Sequence, residues 1–184
     1  MPFTGPQSQG ERMLDGKHQG ILGGQYRALT LGIVLSVTVG AFGQMAVTTV
    51  APAIAEDLGG LALYGWIFSA AGLASFVGAI AAGRQVDRRG PGATYLIGLA
   101  VSGLGMLVAA VAPGMAVLTL GRVLQGLGGG ATFTCVYAGI NLAYPDELRP
   151  RMLAVVSSAF IVPAMVGPYL AGVIAEQFTW RVVF

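Results

Sequence analysis

Two long apolar runs, Tyr64–Ala82 and Ala93–Ala112, flank a ten-residue stretch rich in charge, Gly83–Gly92, with the sequence GRQVDRRGPG. A run of about 20 apolar residues crosses the roughly 30 Å of hydrocarbon in a bilayer. The sequence therefore predicts two membrane helices joined by a tight turn, which the glycines and the proline favour. The three arginines of this stretch place the turn on the cytoplasmic side of the membrane.

The composition excludes a soluble domain. Of the 184 residues, 55% are hydrophobic and only 10% are charged, whereas soluble domains carry about 25% charged residues. The net charge of +2 does not indicate a nucleic-acid partner, because the basic residues follow a membrane topology. Cys135 is the only cysteine and His18 the only histidine, so neither an intrachain disulfide nor a metal site is expected.

The chain is predicted to be an all-α membrane protein. Residues 1–28 are expected to form a disordered cytoplasmic tail, and residues 29–184 a partial transmembrane domain. The expected spans are 29–50, 63–83, 93–112, 115–142 and 152–175, with 180–184 as the start of a sixth helix. Eight of the ten basic residues then lie on the inner side, which places the N-terminus in the cytoplasm. No segment alternates with the two-residue period of a membrane β-strand.

Arg122 is a charged residue inside the fourth expected span. A charge near the middle of the membrane costs about 2.5–3.5 kcal/mol on insertion scales, so it normally faces a bundle interior or a wet cavity. Gln125 lies three residues later, on the same helix face, and can share hydrogen bonds with Arg122. The alternative is that Arg122, seven residues after Met115, extends to the outer headgroups.

Glycines follow Arg122 in the run Gly126–Gly130, which favours a close crossing of two helices. A phosphate-binding loop is excluded, because no strand precedes the run and no lysine follows it. No Ser/His/Asp set or pair of facing carboxylates occurs, so no enzyme and no cofactor are predicted. In the fifth span, Pro168 removes a backbone hydrogen bond and favours a bend, and Gly167 allows a neighbouring helix to approach.

Three patterns resemble signatures of the major facilitator superfamily of secondary transporters. The loop between the second and third helices matches G-x-x-x-D-R-x-G, through Gly83, Asp87, Arg88 and Gly90. The fourth helix matches R-x-x-Q-G-x-G, through Arg122, Gln125, Gly126 and Gly128. The fifth helix resembles the G-P-x-x-x-G core of the antiporter signature, through Gly167, Pro168 and Gly172.

The end of the first helix, TTVAPAIAEDL, resembles the first-helix signature of the drug:proton antiporter group. Pro52 fits this signature, but Gly43 stands where that group has an aspartate, and Gln44 is next to it. The two positions after Gly90, where the superfamily has basic residues, are Pro91 and Gly92.

The resemblance implies a helical bundle of inverted repeats, of which this chain supplies the N-terminal half: five transmembrane helices and the start of a sixth. The remaining half is expected beyond Phe184. In the superfamily, the fourth-helix arginine is associated with proton or substrate coupling, the 83–90 loop with gating, and the fifth-helix motif with export.

The leading functional hypothesis is therefore a multi-pass transporter of a bacterial cytoplasmic membrane. It would export small amphipathic compounds, drugs among them, and use protons as the driving ion. Two alternatives stay open: an exporter of a metabolite such as a sugar or a siderophore, and a non-transporting membrane scaffold or truncated partner.

Overall fold

The computed structural model of the chain describes residues 23–24 and 26–184. Most of the expected tail, residues 1–22 and 25, lies outside the described residues. The described part is helical and contains no strand. Its α-helices are α1 (Arg27–Leu58), α2 (Trp66–Arg89), α3 (Pro91–Ala110), α4 (Met115–Ala143), α5 (Arg149–Ala159) and α6 (Ile161–Gln177). Short 3₁₀ turns occupy Leu61–Leu63 and Trp180–Val183.

Four helical segments of the described residues are long and apolar enough to cross a membrane. They are α1, α2, α3 and the segment Arg149–Gln177, which contains α5 and α6. The 29 residues of α4 also exceed the length that a span needs, but Arg122, Gln125 and the glycines make this helix less apolar. Packing against neighbours explains how α4 tolerates this composition, since its less apolar sides meet protein rather than lipid.

The turn between α2 and α3 is narrower than the charged stretch that marks it in the sequence. The α2 helix continues through Arg88 and Arg89, whose positive charges interact favourably with the C-terminal end of a helix. The chain then reverses at Gly90, which adopts a φ of 79° that glycine allows without steric cost. Pro91 follows as the first residue of α3, a position that suits its fixed φ.

The expected fifth span corresponds to α5 and α6, which are separated by a break at Phe160. The cause is Pro163, which has no N–H to donate to the carbonyl of Ala159 and whose ring crowds that carbonyl. At the break, the backbone N–H of Phe160 donates to the carbonyl of Ser157, three residues back, and not to a carbonyl four residues back as in an α-helix. The α6 helix continues through Pro168, so the interruption lies at Phe160 and not at the Gly167-Pro168 pair.

Glycines on α4 bring it into backbone contact with α2. A Cβ on Gly126 would lie 3.0 Å from the carbonyl carbon of Ala71, and a Cβ on Gly130 would lie 2.7 Å from that of Ser75. On the α2 side, a Cβ on Gly78 would lie 2.8 Å from the carbonyl carbon of Leu127. This contact, named the α2 seam, confirms the close crossing predicted from the glycine run.

A second row of small residues brings α4 into close backbone contact with α3. A Cβ on Gly121 would lie 2.8 Å from the backbone nitrogen of Ala109, and a Cβ on Gly128 would lie 2.8 Å from the Cα of Ser102. A Cβ on Gly105 would lie 2.7 Å from the carbonyl oxygen of Gly121. The α4 helix therefore lies between α2 and α3, and small residues line both contacts.

Two apolar clusters hold this three-helix unit against α1, α5 and α6. The first joins α1, α2, α3, α4 and α6 to the 3₁₀ turn at the end of the chain; its fully buried members include Val47, Val50, Ile54, Ile67, Leu118 and Ala171. The second joins α1 and α5 to the other end of α4; its members include Ile33, Val37, Val136, Ile140, Tyr144, Met152 and Val156. Each large aliphatic side chain buried in these clusters packs against protein, so its apolar surface is not exposed.

Candidate functional site

Arg122 is the one charged side chain buried in the described part of the chain, with 1% of its surface exposed. It lies on the α4 face that meets α1 and α2. Nε donates to the backbone carbonyl of Ile67 on α2 at 3.3 Å, and Nη2 donates to Oε1 of Gln44 on α1 at 2.9 Å. Nη1 donates to Oε1 of Gln125 on α4 itself. A guanidinium suits this position because its planar fork can donate in several directions at once.

Gln125 is also buried, at 9% exposure, and its place beside Arg122 follows from their spacing of three residues on a helix. Gln44 differs, because its side chain is exposed on α1 although Oε1 accepts from Arg122. One turn further along α1, Thr48 is exposed as well. The polar network thus begins in the interior at Arg122 and reaches the surface of the described bundle at Gln44.

Gly43 lies beside this network and is buried. A Cβ at this position would lie 3.4 Å from Nε2 of Gln125 and 3.3 Å from the methyl carbon of Met106. The position where the drug:proton antiporter signature has an aspartate is therefore adjacent to the Arg122 network.

Arg122 lies in the bundle interior, which is one of the two surroundings expected for a charge within a membrane span. The guanidinium does not extend toward headgroups, because its donors are used inside the bundle. Within the described bundle only 1% of its surface is exposed. The residue that takes the exposed position is Gln44.

The residues of the expected gating loop lie far from Arg122. Gly83, Asp87 and Arg88 belong to the last turns of α2, and Gly90 forms the turn. Asp87 is twenty residues after Ile67 on the same helix, which corresponds to about 30 Å at 1.5 Å per residue. Asp87 and Arg88 are exposed, and neither side chain forms a hydrogen bond or ion pair with the other described residues.

The α6 residues face α1 at a third place. Gly167 is buried, and a Cβ there would lie 3.5 Å from the Cβ of Met45 and 3.6 Å from the ring of Phe42. Gly172 approaches Thr49, with 4.0 Å between a Cβ at 172 and the Thr49 methyl. Pro168 is exposed. The α6 glycines therefore allow ordinary van der Waals contact with α1, looser than the contacts of the α2 seam.

Residues 33–184 match the family model described as Major Facilitator Superfamily. This chain belongs to the major facilitator superfamily. It is 37% identical over 160 residues to a probable multidrug-efflux transporter of Mycobacterium tuberculosis, an alignment that covers 86% of this chain and 34% of that protein.

Two further proteins are similar at lower identity. Azole resistance protein 1 of Saccharomyces cerevisiae is 29% identical over 157 residues, covering 85% of this chain and 26% of that protein. Multidrug resistance protein 3 of Bacillus subtilis is 28% identical over 156 residues, covering 85% of this chain and 30% of that protein. The chain thus spans about a third or less of the length of these relatives.

Sequence reasoning missed one polar cluster of this superfamily member, at the end of the bundle opposite Gly90. Oδ2 of Asp57 accepts from Nε1 of Trp180 at 3.0 Å and from Nη1 of Arg181 at 2.9 Å. Arg181 also donates to the carbonyl of Ala112 at 3.4 Å, and its guanidinium carbon lies 4.3 Å from the centre of the Trp180 ring. This outer cluster joins the end of α1 and the α3–α4 connection to the last described turn. The sequence signal is the Trp-Arg pair that follows an apolar helix.

Proposed function

We propose that the chain is the N-terminal part of a proton-driven exporter of small amphipathic compounds, drugs among them, that works by alternating access. The observation that carries the proposal is the buried Arg122 network, which reaches the exposed face of α1 at Gln44. A buried charge in a membrane bundle is costly and marks a functional position by default. The multidrug-efflux and multidrug-resistance names of the relatives support the substrate class.

The exposed face of α1 is the proposed cavity wall. Large apolar side chains on most outer faces can meet lipid, but Gln44 and Thr48 bring polar groups to the surface of α1. In the proposed whole protein, the remaining half beyond Phe184 covers this face and encloses the substrate between the halves near midplane. The proposed orientation has the N-terminus in the cytoplasm, because the basic residues cluster at the Arg84–Arg89 and Arg149–Arg151 ends.

Asp87, Arg88 and the glycines Gly83 and Gly90 are the proposed inner gate. Asp87 is exposed and forms no ion pair with the described residues, so its carboxylate is available to a partner in the remaining half. We expect Asp87→Asn to impair transport by the complete protein and to leave membrane insertion unchanged. The exposed acid Glu147 supplies the control, since Glu147→Gln removes a charge without touching the gate. Full transport by Asp87→Asn would remove this role.

Gly167 is the proposed closure point between α6 and α1. Its neighbours Met45 and Phe42 leave room for a methyl group, and we expect a larger side chain to push them away. We therefore expect Gly167→Leu to abolish coupled export and to leave substrate affinity within a few fold, while Gly167→Ala keeps most of the activity. Equal export by the leucine and alanine variants would contradict a closure role.

The experiment that tests the whole proposal measures retention of fluorescent amphipathic dyes in cells that express the complete protein. We expect less retention than in control cells, and we expect a protonophore to abolish the difference. Gradient-dependent accumulation would identify an importer. Equal retention with a broad dye panel would favour the metabolite exporter or the non-transporting scaffold, and efflux of labelled sugars or siderophores then separates those two.

A further inference from the structure

The guanidinium of Arg122 is surrounded by neutral acceptors. Its donors go to the amide oxygens of Gln44 and Gln125 and to the backbone carbonyl of Ile67. Each of these oxygens satisfies a hydrogen bond, and none of them carries a formal charge. The positive charge is therefore solvated by dipoles and is not neutralised by these partners.

The carboxylates of the described residues lie near helix ends, away from this network. Asp57 is thirteen residues after Gln44 along α1, about 20 Å at 1.5 Å per residue, and its carboxylate already binds Arg181. Asp87 is at the end of α2, and the remaining described acids are Glu56, Asp146, Glu147 and Glu176. Within the described part, Arg122 thus sets the sign of the potential in the middle of the bundle.

Gln44 transmits this polarity to the exposed face. Because its Oε1 accepts from Nη2 of Arg122, the amide is oriented, and its two Nε2 protons point away from the guanidinium. Such a chain of hydrogen bonds polarises each member in the same direction. Since Gln44 is exposed, its amide protons are available to a ligand at the α1 face, next to a buried positive charge.

From this arrangement we infer that the α1 face at Gln44 binds the anionic group of the substrate, a carboxylate or a sulfonate on an apolar body. This rests on the proposed export function and specifies its substrate class. The anion accepts from Nε2 of Gln44 and is attracted by Arg122 through one intervening amide. The apolar body of the substrate lies against the neighbouring surface of α1, where Met45 is exposed.

The test uses the complete protein in inverted membrane vesicles and a matched pair of xanthene dyes, anionic carboxyfluorescein and cationic rhodamine 6G. The measured quantity is the ratio of kcat/KM for the anionic dye to that for the cationic dye. We expect the unmodified protein to prefer the anionic dye. Gln44→Glu keeps the shape of the side chain, removes the amide donor and pairs Arg122 with a carboxylate. A charge at about 10 Å and an effective dielectric of about 20 changes a binding constant by roughly tenfold, so we expect the ratio to fall at least about tenfold.

Asn141→Asp is the matched control. It makes the same amide-to-carboxylate change at an exposed position of α4, nineteen residues from Arg122, or about 28 Å along the helix. We expect its dye ratio to stay within about twofold of the unmodified protein. Gln125→Glu provides a second way to pair Arg122, and it should lower the ratio as Gln44→Glu does.

The outcomes separate the inference from the proposed function. Export of both dyes with a cationic preference, or a ratio that the two glutamate variants leave unchanged, overturns the inference and leaves export intact. An equal fall in Asn141→Asp also overturns it, because the effect would then be a general response to added charge. Export of neither dye, nor of a neutral xanthene, overturns the proposed function together with the inference.

Discussion

Adjacent glycines on α4 give a sharp test of the α2 seam. Gly130 is buried against α2, and a Cβ there would lie 2.7 Å from the carbonyl carbon and 2.9 Å from the Cα of Ser75. Gly129 is exposed, and a Cβ there would meet nothing within 4 Å. The same Gly→Ala change therefore adds a methyl group to a backbone contact at one position and to open space at the next.

The magnitudes follow from these distances. Ordinary contact between carbon atoms needs about 3.5–4.0 Å, so Gly130→Ala must separate the two backbones by about 1 Å. Over-packing typically costs 1–3 kcal/mol, and backbone atoms cannot rotate away as a side chain can, so we expect a loss of about 3 kcal/mol. Gly129→Ala should be neutral or should stabilise by up to about 1 kcal/mol, the difference in helix propensity between glycine and alanine.

The assay is thermal or denaturant unfolding of the detergent-solubilised complete protein, with both variants made in the same background. We expect a clear loss of stability for Gly130→Ala and none for Gly129→Ala. Equal losses would refute the reasoning, because they would show that helix flexibility and not interhelical distance determines the need for glycine here.

Two other perturbations test the polar contacts. Asp57→Ala removes the acceptor shared by Trp180 and Arg181, so we expect faster hydrogen exchange in the turn Trp180–Val183. Glu56→Ala, at the adjacent exposed position, is the control and should leave exchange unchanged. Arg122→Lys replaces a planar fork by a point charge that cannot reach all three acceptors. We therefore expect the unfolding free energy to fall by about 1–3 kcal/mol. Unchanged stability would contradict the role of the network.

Local features of the bundle could be predicted from the sequence. The spacing of Arg122 and Gln125 is enough to place them on one helix face, and the run Gly126–Gly130 is enough to predict a close crossing. These inferences work because the helix period relates residues that are near one another in the chain.

Contacts between distant segments could not be predicted in this way. The hydrogen bond from Arg122 to Gln44 joins residues 78 positions apart, and the contact of Asp57 with Trp180 joins residues 123 positions apart. Sequence patterns give each helix a face, but not the rotation and height at which that face meets its neighbour. The effect of the two prolines in the last span could not be predicted either. The helix is interrupted upstream of Pro163 and continues through Pro168.

The single residue between α2 and α3 fixes how the growing chain can enter the membrane. Only Gly90 lies outside the two helices, so there is no loop between them that would let one helix insert without the other. We therefore expect α2 and α3 to insert together as one hairpin. The α2 and α3 helices contact each other at few positions, whereas α4 packs against both. The α4 helix, which is synthesised next, fills the space between them. We expect the hairpin to stay splayed until α4 arrives and the glycine rows close on both sides, so that the order of synthesis becomes the order of assembly.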